Sequence, residues 1–367
     1  MIPSTNSVRS NRADGTPEFG LMSVDALKGV LHSAARYSGL NWVLRRTLGR
    51  RYPLVLCYHG VVGEDRPDQR FLYRNTISCR QFQIQLEFLN RHFNPISLGE
   101  LIDHLRRGTA LKPYSVLLSF DDGYRNNLTN AAPLLSKYGM PALFSITTGY
   151  IDRTDVLWPD EVNLRVLGWP LPTMPYPTPE NGFSKVQVPS IVEERTVLAD
   201  KTRADCKRLS EPERFTYLET LREVPCPMLE QRDRELYDFL TWDEVRSLVA
   251  AGFDIGSHTV NHPILTQVHA KRLESELVGS KVRIETETSK PCTCLVYPNG
   301  QVADINQNVE NAAKSAGYMM AFSATGFYAS PNEGLYSVSR ITVPGQAPDQ
   351  VFETRVSGLH TWVKRIL

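Results

Sequence analysis

From residue 53 onward, short apolar runs alternate with stretches of helical spacing, and this rhythm restricts the chain more than any other feature. The apolar runs are PLVLCYHGVV (53–62), SVLLSFDDG (115–123), PALFSITTGYI (141–151), FDIGSHTVNH (253–262), CTCLVYPNG (292–300), MMAFSA (319–324) and YSVSRITV (336–343). Between them lie FQIQLEFLNRHF, LGELIDHLRRG, NNLTNAAPLLSKYGM, TWDEVRSLVAAG, HAKRLESELVGSKVRIETETS and INQNVENAAKSAGY, with helical periodicity. Strands that are apolar throughout are buried on both faces, as parallel strands under helices are. The pattern predicts an α/β fold of parallel βαβ units with a covered sheet. In such folds ligands sit outside the carboxyl ends of the strands, so the residues at which each strand breaks are the informative ones.

Three regions depart from the rhythm. Residues 159–237 carry the Pro-dense GWPLPTMPYPTPENG and then charged helical sequence. They read as an insertion or lid on a domain covering 52–367, too poor in apolar residues for a second core. Residues 1–21 are polar and aperiodic, and read as an expression leader ahead of a native start at Met22. Residues 22–51 read as an amphipathic helix, apolar at Leu27, Val30, Leu31, Ala34 and Ala35 and ending in Arg45, Arg46, Arg50 and Arg51. Packing on the domain is its expected role, with peripheral contact to a membrane surface as the alternative.

Charge excludes some partners. With 41 Lys+Arg against 40 Asp+Glu the formal charge is +1, so no global field favours nucleic acid, and none is expected as partner. No apolar run reaches the ~18 residues of a transmembrane helix. Cys57, Cys79, Cys206, Cys226, Cys292 and Cys294 form no CxxC pair, and read as reduced thiols of a cytoplasmic protein.

Four strand ends carry unusual polar residues. Asp121 and Asp122 follow an apolar strand; alternation would point them apart, so one can ligate a metal while the other acts as a base. An ordinary Asp-Asp-Gly turn is the alternative. His258 and His262, four apart, would share one face of a helical turn, a spacing that suits two ligands on one metal. With one carboxylate they would leave positions open for water and substrate. The Tyr297-Pro298-Asn299-Gly300 loop reads as a turn when taken alone, or as a source of a backbone N–H for an oxyanion. His59, after Tyr58, is either a proton donor or a satisfied, partly buried histidine. Thr241-Trp242-Asp243-Glu244 reads as a helix-capping box, with a sugar-stacking Trp242 as the alternative.

Taken in order, SFDDG, HTVNH and VYPNG resemble the signature segments of the polysaccharide deacetylase family, the NodB homology domain of carbohydrate esterase family four. The resemblance covers roughly residues 53–345 outside the insertion. The opening YHG is similar to that of exopolysaccharide deacetylases whose chain begins with a Tyr-His strand. The resemblance implies a distorted (β/α) barrel, often seven-stranded. It also implies a metal-dependent hydrolase that removes N-acetyl groups from amino sugars in a polysaccharide or glycan precursor, as in exopolysaccharide biosynthesis. One divalent metal would be held by Asp122, His258 and His262, zinc first, with cobalt, manganese or nickel also accepted. Asp121 would be the general base, the Asn299 backbone N–H would steady the oxyanion, and His59 would be the acid.

Two departures stand out. The family's Arg before the Pro is Val296 here, and Arg340 is the candidate to replace it in orienting Asp121. The family's Leu-x-His motif is missing, and His360 lies past the last expected strand. A deformylase or deacetylase of a lipid- or nucleotide-linked sugar is the alternative activity, and a non-catalytic glycan-binding relative the alternative class.

Overall fold

The computed structural model describes residues 38–63, 75–178, 182–345 and 348–359. The leader, most of the helix expected over 22–51, and His360 lie outside these residues. Within them, that helix runs Leu40–Leu48.

Twelve strands are described: β1 (Leu54–Tyr58), β2 (Gly60–Val62), β3 (Thr76–Ser78), β4 (Asn94–Pro95), β5 (Ser115–Phe120), β6 (Ala142–Ile146), β7 (Thr173–Thr178), β8 (Gly182–Gln187), β9 (Asp254–Ser257), β10 (Cys294–Val296), β11 (Met320–Phe322) and β12 (Ile341–Thr342). The main sheet runs β11-β10-β9-β6-β5-β1-β12, with β4 beside the start of β5. Its strand pairs are parallel.

Consecutive residues of one strand join different apolar clusters, and this is why the strands read as continuously apolar. Leu54, Leu56, Leu118 and Phe144 pack outward with Phe82, Leu86, Leu135, Val245 and Leu277 of the surrounding helices. Val55, Leu117, Leu143, Val296 and Phe322 pack together on the other face, toward the barrel axis. The inward positions that follow them toward the strand ends change character: Cys57, Ser119 and Ser145 replace aliphatic residues. The barrel axis is therefore oily at one end and polar at the other.

One segment closes the barrel. Ala321 donates its N–H to the Leu335 carbonyl, and Val338 and Ala321 continue the ladder on β11. A few residues later Ile341 and Thr342 pair in parallel with Leu56 and Cys57 of β1. The chain between 335 and 343 thus crosses from β11 to β1, giving the distorted (β/α) barrel.

The region at 159–237 is more ordered than its composition suggested. Its Pro-dense stretch forms β7, which pairs antiparallel with β8. A two-strand ribbon is all edge, so Pro175 and Pro177 cost few ladder bonds. The helix Trp158–Leu167 is buried at every position. Trp158, Val162, Val166, Trp169, Met174, Ala199, Tyr217 and Leu221 form an apolar cluster of their own. Among the described residues no helix is long and apolar enough to cross a membrane.

Candidate active site

The polar end of the barrel gathers the residues singled out in the sequence. Asp122 Oδ1 lies 3.4 Å from His258 Nε2 and 3.4 Å from His262 Nε2, and all three side chains are largely buried. His258 Nδ1 is 2.8 Å from the Val296 carbonyl. Donation there fixes the tautomer and leaves the Nε2 lone pair facing Asp122, the arrangement of a metal-ligating imidazole. Tetrahedral bonds of about 2.0–2.2 Å separate ligand atoms by roughly 3.3–3.5 Å, so these spacings fit a divalent ion such as zinc. Burial and the neighbouring His258 push the His262 pKa down to about 3, which keeps its ring neutral and able to ligate. Burial works against ionisation of Asp122, yet the His258 contact and the adjacent rings bring it to about 2.

The local backbone differs from both expectations for these ligands. His258 and His262 lie in a loop after β9, not on a helical turn. Their convergence comes from left-handed residues, Thr259 at φ 69° and His262 at φ 56°. Glu276 fixes the loop by accepting from the Val260 and Asn261 amides at 2.8 Å each. Asp121 and Asp122 diverge because Asp122 is left-handed at φ 78°, beyond the end of β5, and not because a strand continues through them.

Asp121 sits in a cage. Arg340 Nη1 and Nη2 reach Oδ1 and Oδ2 at 2.8 Å each. Ser145 Oγ donates to Oδ1 at 2.7 Å and the Cys57 thiol to Oδ2 at 3.2 Å. Burial alone would raise the Asp121 pKa, but the Arg340 charge and hydrogen bonds outweigh it and hold the carboxyl well below the usual range. Arg340 also bonds Ser119 Oγ at 3.0 Å and the Ser323 carbonyl at 3.2 Å. The charge that Val296 does not supply therefore reaches Asp121 from the barrel-closing segment. Cys57 and Ser145 were not singled out in the sequence, although a lone serine inside the apolar run ALFSI was a legible signal. All six cysteines are unpaired with one another.

Asp121, Asp122, His258, His262, Arg340 and Cys57 line a cavity of about 220 Å³, together with His59, Tyr297 and Asn299. His59 Nδ1 is buried and meets no hydrogen-bond partner among the described residues. Burial lowers the His59 pKa despite the two nearby carboxylates. Asn299 is left-handed at φ 61°, and its side-chain Nδ2 donates to Asp304 Oδ2 at 2.5 Å. Trp242 is elsewhere: buried under Arg283, behind a Thr241–Glu244 capping box.

The inserted segment supplies part of the cavity wall, which no sequence motif announced. Arg203 and Lys207 line it, and the Lys207 ammonium donates to Asn299 Oδ1. Lys207 is set in place from its backbone: Gln267 Nε2 holds the Lys207 carbonyl at 2.6 Å. Buried Arg214 in turn holds Gln267 Oε1 at 2.8 Å and the Cys206 and Leu209 carbonyls at 3.4 and 3.3 Å.

A polysaccharide deacetylase family model matches residues 109–204 and 207–321, more than half of the chain. YxkH of Bacillus subtilis, named as a polysaccharide deacetylase, is 28% identical over 109 residues, 29% of this chain and 38% of that protein. The poly-beta-1,6-N-acetyl-D-glucosamine N-deacetylase of Escherichia coli is 29% identical over 100 residues, 27% of this chain and 14% of that protein. The matched parts thus span well under two thirds of either relative. Among solved structures, the Streptococcus pyogenes deacetylase PplD, in complex with acetate, has a TM-score of 0.55 at 17% identity. That match covers 83% of this chain and 98% of PplD. IcaB from Ammonifex degensii gives 0.52 at 17% identity, over 85% and 98%. At such identities these two likenesses speak for the fold, while the family model carries the assignment. With strand-end motifs, barrel and match in agreement, the chain belongs to the polysaccharide deacetylase family.

Proposed function

We propose that this protein is a divalent-metal-dependent N-deacetylase acting on N-acetylated amino sugars of a glycan. The observation that carries the reading is the Asp122–His258–His262 set, spaced for one ion, beside the Arg340-gripped Asp121. When bound, the ion, zinc by preference, would lower the pKa of a water and polarise the acetyl carbonyl.

The chain's own groups do the rest. Asp121 orients the attacking water and takes its proton. Its acceptor positions carry donors from Arg340, Ser145 and Cys57, so it must release one contact to do so. The thiol is the weakest of these donors, and Cys57 lines the cavity. Because Arg340 depresses its basicity, Asp121 contributes orientation and negative charge as much as proton removal. The Asn299 N–H, on a loop steadied by Lys207 and Asp304, faces the oxyanion that forms as water adds to the acetyl carbon. His59 gives a proton to the amine as the C–N bond breaks, leaving free acetate and an amino sugar.

A lipid- or nucleotide-linked acyl sugar is the second reading, favoured by the cationic Arg203 and Lys207 on the wall contributed by the insertion. A cytoplasmic setting is supported by the six unpaired cysteines. The test is acetate release from a panel of N-acetylated oligosaccharides and sugar nucleotides, before and after chelation, with zinc, cobalt, manganese and nickel restored separately. No release from any member under any metal would sink the reading.

A further inference from the structure

A second cavity, of about 480 Å³, opens beside the first. The two share a wall. Leu157 and Pro159 line the metal-site cavity, while Val156 and Glu161, their near neighbours, line the other. Its remaining lining is strongly polar and includes Arg153, Arg222, Arg232, Tyr150 and Asp155.

The charges of this lining are not equivalent. Arg153 is paired with Asp155, and Arg222 with Glu161 and Glu219. Among the described residues Arg232 has only neutral acceptors: its two terminal nitrogens go to the Leu229 and Thr154 carbonyls. Its Nε–H is buried and without a hydrogen-bond partner among the described residues. A guanidinium has donors arranged for a carboxylate or a phosphate, and withdrawing one from water without an anion is costly. Glu161 does not fill that need, because Arg165 and Arg222 already hold both of its oxygens. Tyr150, whose hydroxyl burial and the Asp155 charge push up to about 12, remains a protonated donor on the same wall.

We propose that this cavity is an anion subsite in which Arg232 binds a carboxylate or phosphate group carried on a sugar. That the carrier is a sugar rests on the deacetylase reading; the anion preference rests on Arg232 and the cavity alone. An acidic substituent would then sit one wall away from the acetamido group being hydrolysed. The preferred glycan would be acidic or phosphorylated, not neutral.

The experiment is calorimetric titration of the zinc-loaded protein with glucuronate, glucose 6-phosphate and neutral glucose. The two anionic probes separate the carboxylate from the phosphate source. Saturable binding of at least one of them, with none for glucose, is expected. Arg232→Gln should weaken it about 10- to 100-fold, the range of a lost charge-assisted contact. Anion binding confined to the metal site would survive Arg232→Gln unchanged, and that result would overturn the proposal. Should Arg232→Gln fail to fold, Arg153→Gln, on an exposed side chain, is expected to weaken the same binding about threefold or more; an unchanged constant would count equally against the subsite. The titration does not depend on turnover, so a protein that binds the anion here but releases no acetate in the substrate panel would sink the deacetylase reading and leave the subsite standing.

Discussion

Arg340 grips Asp121 with two parallel N–H donors, each at 2.8 Å, although 219 positions of chain separate the two residues. Both are almost fully buried, so neither charge has water to fall back on. Removing one partner of such a pair leaves the other uncompensated, which typically costs about 3–5 kcal/mol. Arg340→Gln is therefore expected to lower unfolding free energy by about that amount in urea titrations. Arg340→Lys should recover part of the stability but little turnover, because an ammonium cannot make the paired contact.

The neighbouring aspartates should separate cleanly. Asp121→Asn should keep the metal and lose about 10²–10⁴-fold in turnover, the usual contribution of a positioned base. Asp122→Asn should lose the metal, leaving His258 and His262 alone. Metal content by mass spectrometry, read alongside acetate release, checks both. A metal-free Asp121→Asn with a metallated Asp122→Asn would reverse the roles.

Lys207→Met tests whether the inserted segment takes part in the chemistry. The ammonium donates to Asn299 Oδ1, and Asp122, His258 and His262 are all retained in the variant, so metal content should be little changed. Turnover should drop about tenfold or more with KM little altered, as expected when a contact matters mainly in the transition state. Lys207→Arg should restore part of the rate. A Lys207→Met protein with wild-type kcat would remove the insertion from the reaction.

Glu161 sets an acid limit on the stability of the inserted region. Burial opposes its charge, but hydrogen bonds from Arg222 and Arg165 win and lower its pKa. A carboxyl depressed in the folded state stabilises fully above its unfolded value of about 4.3, and loses that contribution as pH falls through the folded value. Unfolding followed through Trp158 and Trp169 should therefore show wild type well ahead of Glu161→Gln at pH 7. The gap should shrink steadily below about pH 4. A gap that stayed constant down to pH 3 would contradict the ion network as its cause.

What was legible in the sequence were features encoded locally. The apolar runs fix the strands because both sheet faces are covered, and Asp121, Asp122, His258 and His262 stand out because polar residues interrupt those runs. Arg340 came from the family resemblance: the family's Arg before the Pro is Val296 here, so another strand had to supply the cation. The helical placement of His258 and His262 was wrong because spacing of four does not distinguish a helix from a loop with two left-handed residues. Lys207 was illegible: its position depends on Arg214 and Gln267, which no local pattern connects to the cavity. The β7–β8 ribbon was hidden by its prolines, which a two-strand ribbon tolerates and an interior strand does not.

The barrel-closing segment has a consequence for synthesis. A ribosome delivers β1, with Cys57 and His59, and then β5, with Asp121 and Asp122, long before residues 335–343 exist. Until that late stretch emerges, Asp121 has no Arg340, and the seam between β11 and β1 stays open. Sealing the barrel and arming the carboxylate are one event. A nascent or prematurely terminated chain that lacks residue 340 therefore carries Asp121, Asp122, His258 and His262 while the Asp121 carboxylate is still without its guanidinium.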